Sequence, residues 1–205
     1  MTSRQRQRLE THEAVYLAAL EEFFSEGVAA ARIERIVERA RVARGTFYFH
    51  FPTKDHVLFE LIDRTEHLIA DSIVLDDAAP LAEALRTIFE HMRGALQAVQ
   101  GDVRRELISA QIRRQPQPGA PVSPLHARLA KAIERAQQHA AARAELDAVE
   151  TARMLLASMF GVIALAPDDD TAATSLATLI EVALRGLVIA QADDAHHPHP
   201  SQTAG

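Results

Sequence analysis

The chain has 205 residues, 48% of them hydrophobic and 24% charged, the balance of a folded globular chain and not of a disordered one. It holds no cysteine, which excludes a disulfide framework, a thiolate nucleophile and any zinc site built on sulfur. The net charge is −6, yet Arg32, Arg35, Arg39, Arg41, Arg44 and Lys54 stand close together against Glu34 and Glu38, with Arg4, Arg6 and Arg8 ahead of them and no acid among these three. A local basic field of this kind suits phosphate groups, although an arginine-rich solvated face has the same composition.

The chain reads as helix almost throughout. A first helix is expected from about Leu9 to Ser25, with Val15, Ala19, Leu20, Phe23 and Phe24 on one face and Gly27 as the residue that ends it. Short helices follow over Ile33 to Arg39 and Arg44 to His50. Thr53 is placed to cap a fourth, with Asp55 in its first turn and its end near Leu75. Longer helices are expected over Leu81 to Val99, Val103 to Arg114, Leu125 to Ala144, Leu146 to Leu165 and Thr174 to Ala190. Residues 115–124 form a proline-rich loop, and residues 193–205 a disordered tail. The longest apolar run, Leu155 to Ala166, is broken by Ser158 and too short for a membrane span. The polar start shows no signal peptide, so a cytoplasmic location is expected.

The sharpest feature is ARIERIVERARVARGTFYFHF, residues 31–51. Two short amphipathic helices are separated by Arg41, Val42 and Ala43, a turn short enough to make them cross steeply. Val42 and Phe47 plug the junction, and Phe51 pins the end of the second of the two. Arg44, Thr46, Tyr48, Phe49 and His50 are left outside. A helix so equipped can enter a major groove, with Arg44 reading guanine edges, Tyr48 and His50 meeting phosphates, and Lys54 holding the backbone from the side. A purely structural three-helix cluster explains Val42, Phe47 and Phe51 equally well, but leaves an aromatic of the Tyr48–Phe49 pair exposed.

At Ala40-Arg41-Val42-Ala43-Arg44-Gly45-Thr46-Phe47-Tyr48-Phe49-His50-Phe51, followed by Lys54-Asp55, the sequence resembles the TetR/AcrR family of transcriptional regulators. The resemblance covers roughly residues 9–62 and includes Val15, Ala18, Ala19, Phe23 and Gly27 in the first helix. It implies that Thr46, Tyr48, Phe49 and His50 face double-stranded DNA, that Lys54 meets a phosphate, and that Phe47 and Phe51 are core. Two residues depart from the pattern. Arg41 stands where glycine is usual, in a left-handed conformation that costs a residue with a side chain about 1 kcal/mol, and is a further candidate for a phosphate contact. Arg32 stands where a Ser or Thr usually caps the second helix, a cap worth about 1 kcal/mol.

The expected fold is therefore all-α, about nine helices: a three-helix helix-turn-helix module over residues 9–52, then a larger ligand-binding and dimerisation domain over residues 53–192. Leu155, Met159, Val162, Leu176, Ile180, Leu184 and Leu187 offer more apolar surface than an isolated helix pair needs, and are the candidate interface of a homodimer. Phe89, Met92, Leu96, Leu107, Ile112, Leu129, Met154 and Phe160 are the candidate lining of a small-molecule pocket; Arg93 or Arg113 turned inward would favour an anionic effector. No phosphate loop, metalloprotease helix or nucleophile elbow is present, so no enzyme activity, cofactor or metal is expected. Asp168, Asp169 and Asp170 read as a polar connection and helix cap. The function implied is a dimeric repressor of a palindromic operator, released by a small molecule. A ligand-independent regulator, an activator and a helical dimeric scaffold without sequence-specific DNA binding are the alternatives.

Overall fold

A computed structural model describes residues 2–74, 79–99, 101–114 and 122–188. Among these residues the chain is all-helical, with α1 (Ser3–Glu26), α2 (Ile33–Ala40), α3 (Arg44–His50), α4 (Lys54–Ser72), α5 (Leu81–Gln97), α6 (Gly101–Arg113), α7 (Pro124–Gln138), α8 (Ala148–Leu165) and α9 (Asp169–Leu187). Residues 193–205, expected to be a tail, and most of the proline-rich loop lie outside the described residues, as do the expected helix ends at Leu75 and Ala190.

The helix ends have local causes. α1 starts at Ser3 and not at Leu9, because Thr2 and Gln5 form a reciprocal capping box. The two turns in between carry good helix formers but no apolar stripe, so hydrophobic spacing does not reveal them. α2 ends on Arg41 at φ 56° and α7 on Ala140 at φ 53°. In α2 the Val42 N–H donates to the Val37 carbonyl and the Arg41 N–H to that of Glu38; in α7 Ala141 donates to Ala136 and Ala140 to Gln137. Both are Schellman endings built without glycine. α7 thus stops at Gln138 and not at Ala144, and the Gln137 side-chain amide holds the turn by donating to the Arg143 and Leu146 carbonyls. α9 starts at Asp169 and not at Thr174, because Asp168 accepts the Thr171 N–H at 2.7 Å.

Two apolar cores share one helix. The first joins Val15, Phe23, Ile36, Phe47 and Phe51 to Val57, Leu58 and Ile62 of α4 and to Val103, Leu107 and Ala110 of α6. The second joins Ile69 and Ile73 at the far end of α4 to α5, α7, α8 and α9. The apolar packing therefore crosses residue 52, where the first expected domain ends. α6 is further clasped to α4 by paired hydrogen bonds of Arg113 to Asp55 and of Arg114 to Asp63, with the Arg114 guanidinium over the Phe59 ring.

The packing places the expected interface and pocket positions as follows. Leu155, Met159, Leu176, Ile180 and Leu187 are buried in the chain's own second core, and Val162 and Leu184 pack against it. α8 lies against both α7 and α9, and these buried residues face them. The apolar side chains that α8 and α9 leave exposed include Met154, Leu165 and Val182, so Met154 is outside and not in a pocket. Ile112 is 78% exposed because α6 turns Leu107, Ile108 and Ala110 inward instead. Leu129 is wholly buried core, and Phe89 sits in a groove between α5 and α9. Arg113 turns outward to Asp55. α8 also meets the length and composition of a membrane-crossing helix, with mean hydropathy 1.6, although a third of it is buried against its neighbours.

Candidate nucleic-acid interface

α3 is a seven-residue helix that presents opposite faces to the core and to solvent. Phe47 and Phe51 are buried, with the Phe51 ring stacked on His12 at 4.7 Å between centroids. Tyr48 and Phe49 point out, Phe49 66% exposed. Arg44, at the start of the helix, is exposed; its guanidinium lies 2.6 Å from Glu34 and over the Tyr48 ring. Contact with a guanine would exchange the Glu34 partner for a base edge. Thr46 is half-buried, and Arg41 is exposed at the turn with its backbone in the left-handed region.

The other side of α3 meets α1. The Arg8 guanidinium lies over the Phe49 ring, and a groove of about 490 Å³ runs between Gln5, Arg8, Leu9, His12, Phe49 and His50. His50 Nδ1 lies 3.3 Å from His12 Nδ1, and His12 Nε2 lies 2.7 Å from Glu60. Burial, then the charges of His12 and Arg8, hold the His50 imidazole below its ordinary pKa. Behind it, Arg64 bridges Glu13 and Glu60 and stacks on Tyr16, whose hydroxyl is pushed up to about 12 by burial. This network fixes α1 on α4 and thereby aims the outer face of α3.

Lys54 has a structural duty that its spacing alone does not reveal. Its ammonium donates to the Val28 carbonyl at 2.8 Å and to the Ala29 carbonyl at 3.2 Å, which ties α4 to the turn after α1. The ammonium carries a third N–H beyond these two contacts. Thr53 has the extended backbone of a cap, but its hydroxyl engages the His56 ring and not the first-turn N–H groups.

α2 lacks a side-chain cap, and another helix serves a different end group, the N–H of the capping residue itself. Arg32 makes no side-chain cap bond, and its own N–H donates to Glu22 of α1 at 3.3 Å. Glu22 is 1% exposed and also pairs with Arg39 at 3.5 Å and Arg35 at 3.8 Å. The sequence carries a signal for it: Val15, Ala18 and Glu22 follow helical spacing, so the acid interrupts an apolar face. Glu66 does the same between Ile62 and Ile69 in α4.

Four of the expected pocket residues do come together. Met92, Leu96, Leu107 and Phe160 line a recess between α4, α5, α6 and α8 with Leu61, Ile62, Thr65, Glu66, Ala95 and Val99. Among the described residues no group of three or more His, Asp or Glu side chains could hold a metal ion.

Comparison with known proteins agrees with this geometry. The family model for bacterial regulatory proteins of the tetR family matches residues 16–61. The HTH-type transcriptional regulator SrpR of Pseudomonas putida is 38% identical over 58 residues, which span 28% of this chain and 27% of that protein. The similarity thus covers about a quarter of that relative's length. Among solved structures, Thermus thermophilus FadR, a TetR-family transcriptional repressor in complex with lauroyl-CoA, has a TM-score of 0.63 at 20% identity over 91% of this chain and 100% of that one. SmeT, the repressor of the Stenotrophomonas maltophilia multidrug efflux pump SmeDEF, has a TM-score of 0.54 at 22% identity over 93% of this chain and 96% of that one. Residues 16–61, the helix-turn-helix module, thus match the tetR family of bacterial regulatory proteins, and the nine helices among the described residues share the fold of solved TetR-family structures.

Proposed function

We propose that the chain is a cytoplasmic DNA-binding transcriptional regulator, a homodimeric repressor that grips a palindromic operator and is released by a small molecule. The observation that carries the reading is the outer face of α3: Phe47 and Phe51 anchor the helix, yet Tyr48 and Phe49 stay exposed, with only the guanidinium groups of Arg44 and Arg8 over their rings. Two exposed aromatics on so short a helix are explained by a partner that covers them. Arg44 would read bases; Thr46, Tyr48, His50, Lys54 and Arg41 would hold phosphates, and Phe49 would pack on sugar or a thymine methyl. Arg4, Arg6 and Arg8 on the first turns of α1 extend the basic face.

Dimerisation is supported by a stripe on α8, Met154, Ala157, Ser158, Gly161 and Leu165, which is apolar or small and mostly exposed, and by Thr178, Val182 and Gly186 on α9. A twofold pairing there would give two recognition helices for one palindrome. Residues 9–52 would then read DNA and residues 53–192 would pair and bind the effector. Repression is the activity named for FadR and SmeT, and is carried to this chain as part of the proposal.

The test is selection from a random duplex library by the purified full chain at about 150 mM salt, where non-specific phosphate binding is weakened, with mass measured by sedimentation. A palindromic winner bound by a dimer is the expected result. No enrichment from a folded dimer, or a monomer at binding concentrations, overturns it.

A further inference from the structure

The first two turns of α1 lie apart from both cores. Residues 2–10 are all exposed, and the first buried side chain of the helix is Val15. A helix end that packs on so little is marginal in water. Here the Thr2–Gln5 capping box and the stack of Arg8 on Phe49 keep it wound. This spur carries Arg4, Arg6 and Arg8, with no acid before Glu10. Among the described residues the guanidinium groups of Arg4 and Arg6 have no partner, and that of Arg8 has only the Phe49 ring. Uncompensated like charges this close repel one another and favour a polyanionic partner.

The spur has a definite orientation toward α3. The Arg8 guanidinium lies 5.2 Å from the Phe49 ring centroid, and Arg8, Phe49 and His50 share the groove between the two helices. Arg4, one turn before Arg8, stands on the same side of α1, whereas Arg6 stands on another side. Arg4 and Arg8 are about 6 Å apart along the helix axis, so each can hold a phosphate of its own. His50, Arg8 and Arg4 thus form a row that leads from the outer face of α3 onto α1.

The helical state of the spur decides what this row holds. With side chains an α-helix is about 10–12 Å across, whereas the minor groove of B-DNA is about 6 Å wide. A wound spur rides on the edge of the duplex instead of entering that groove, and its arginines meet phosphates. We propose that the first two turns of α1 are a backbone clamp, in which Arg4 and Arg8 grip DNA phosphates flanking the base pairs that α3 covers. The clamp adds affinity without selecting bases. It deepens the proposed DNA-binding reading and rests on it.

The experiment follows the full chain by fluorescence anisotropy on two duplexes. One is the selected operator with about ten extra base pairs on each side, one turn of B-DNA; the other is trimmed to the outermost selected pairs. Trimming should weaken the unaltered chain about tenfold, through the lost phosphate contacts. The double variant Arg4→Ala/Arg8→Ala should lose as much on the long duplex and nothing more on trimming. Its slope of log affinity against log salt should fall by about 0.9 for each phosphate given up. Arg6→Ala, which removes a like charge from another side of the helix, should lose less than Arg8→Ala alone. Exchanging A·T for G·C pairs in the flanks should change nothing. Thermal melts verify that each variant folds, and these side chains lie outside both cores. Four results overturn the clamp and leave the operator reading intact: an unaltered chain indifferent to trimming, a double variant as sensitive to it as the unaltered chain, equal losses from Arg6→Ala and Arg8→Ala, or a preference for A·T flanks. Failure of any operator to emerge from the selection overturns both.

Discussion

Replacing Glu22 tests how the second helix is held without a cap of its own. Glu22→Ala removes the acceptor of the Arg32 N–H and both carboxylate contacts to Arg35 and Arg39. A hydrogen bond to a charged acceptor contributes about 1.5–3 kcal/mol, and the truncated side chain leaves a void in a fully packed face. Against this, Arg35 and Arg39 are half-exposed and keep Glu26 at 2.9 Å and Glu21 at 3.0 Å, so neither is stranded and the larger penalty of a broken buried pair does not apply. The expected loss is about 2–3 kcal/mol, roughly 5–10 °C in melting temperature for a chain of this size. Glu22→Gln keeps an oxygen for the Arg32 N–H and should cost about 1 kcal/mol. Melts followed by circular dichroism at fixed protein concentration give both numbers. DNA affinity should fall with alanine and largely return with glutamine, because α2 sets the angle of α3. If glutamine is as damaging as alanine, the charge matters and the hydrogen bond to the Arg32 N–H does not. If alanine costs nothing, water serves the Arg32 N–H and the role of Glu22 as its acceptor is refuted.

Tyr48→Ala should weaken binding to the selected operator about tenfold with the sedimentation mass unchanged, since the ring is outside the core; an unaltered affinity would remove Tyr48 from the interface. Lys54→Met should reduce the slope of log affinity against log salt by about 0.9 per half-site, uniformly across sequences, and also lower the melting temperature through the two lost carbonyl contacts. An effect confined to one base position would contradict a phosphate role. The His50 pKa is depressed in the free chain by burial and by His12 and Arg8, and a phosphate would raise it, so DNA binding should take up protons. Affinity should then strengthen as pH falls from about 7.5 through the ordinary histidine range; a pH-independent affinity, or the same dependence in His50→Gln, would exclude this. Ala140→Gly should raise the melting temperature by about 1–3 °C, because relief of the left-handed backbone outweighs the added freedom of the unfolded chain; a fall would mean that the Ala140 methyl makes a contact worth more than the strain.

What the sequence disclosed and what it hid follow from which forces act locally. α3 is legible to the residue, Arg44 to His50, because an extended Ala43 and the Phe51-Pro52 step bound it on both sides. Arg41 in the left-handed region and the missing Arg32 cap were legible as departures from a pattern, but Glu22, the acceptor of the Arg32 N–H, comes from ten positions upstream and needs the tertiary arrangement to be seen. The end of α7 was hidden because Ala140, Ala141 and Ala142 favour helix intrinsically, and only Gln137, reaching forward to two carbonyls, enforces the turn. Apolar spacing on α8 and α9 correctly marked a buried face, yet it does not say whether a neighbour in the same chain or a second copy does the burying. Leu155, Met159 and Leu176 went to the former, while Met154 and Val182 stayed outside. The recess is half legible, through Met92, Leu96, Leu107 and Phe160, while Glu66 is hidden because it stands at a core position among apolar neighbours on α4.

α4 runs unbroken for 19 residues, roughly 28 Å, with Val57, Leu58 and Ile62 embedded in one core and Ile69 and Ile73 in the other. Neither end of this helix melts without opening the core around it, and α6 returns from the far side to close the first core again. Residues up to 52 are therefore not packed apart from the rest, since their core is completed by α4 and α6. A core-damaging change near Ile69 should therefore be felt along α4 as lost order in the core that carries α3, well away from the exposed face of that helix.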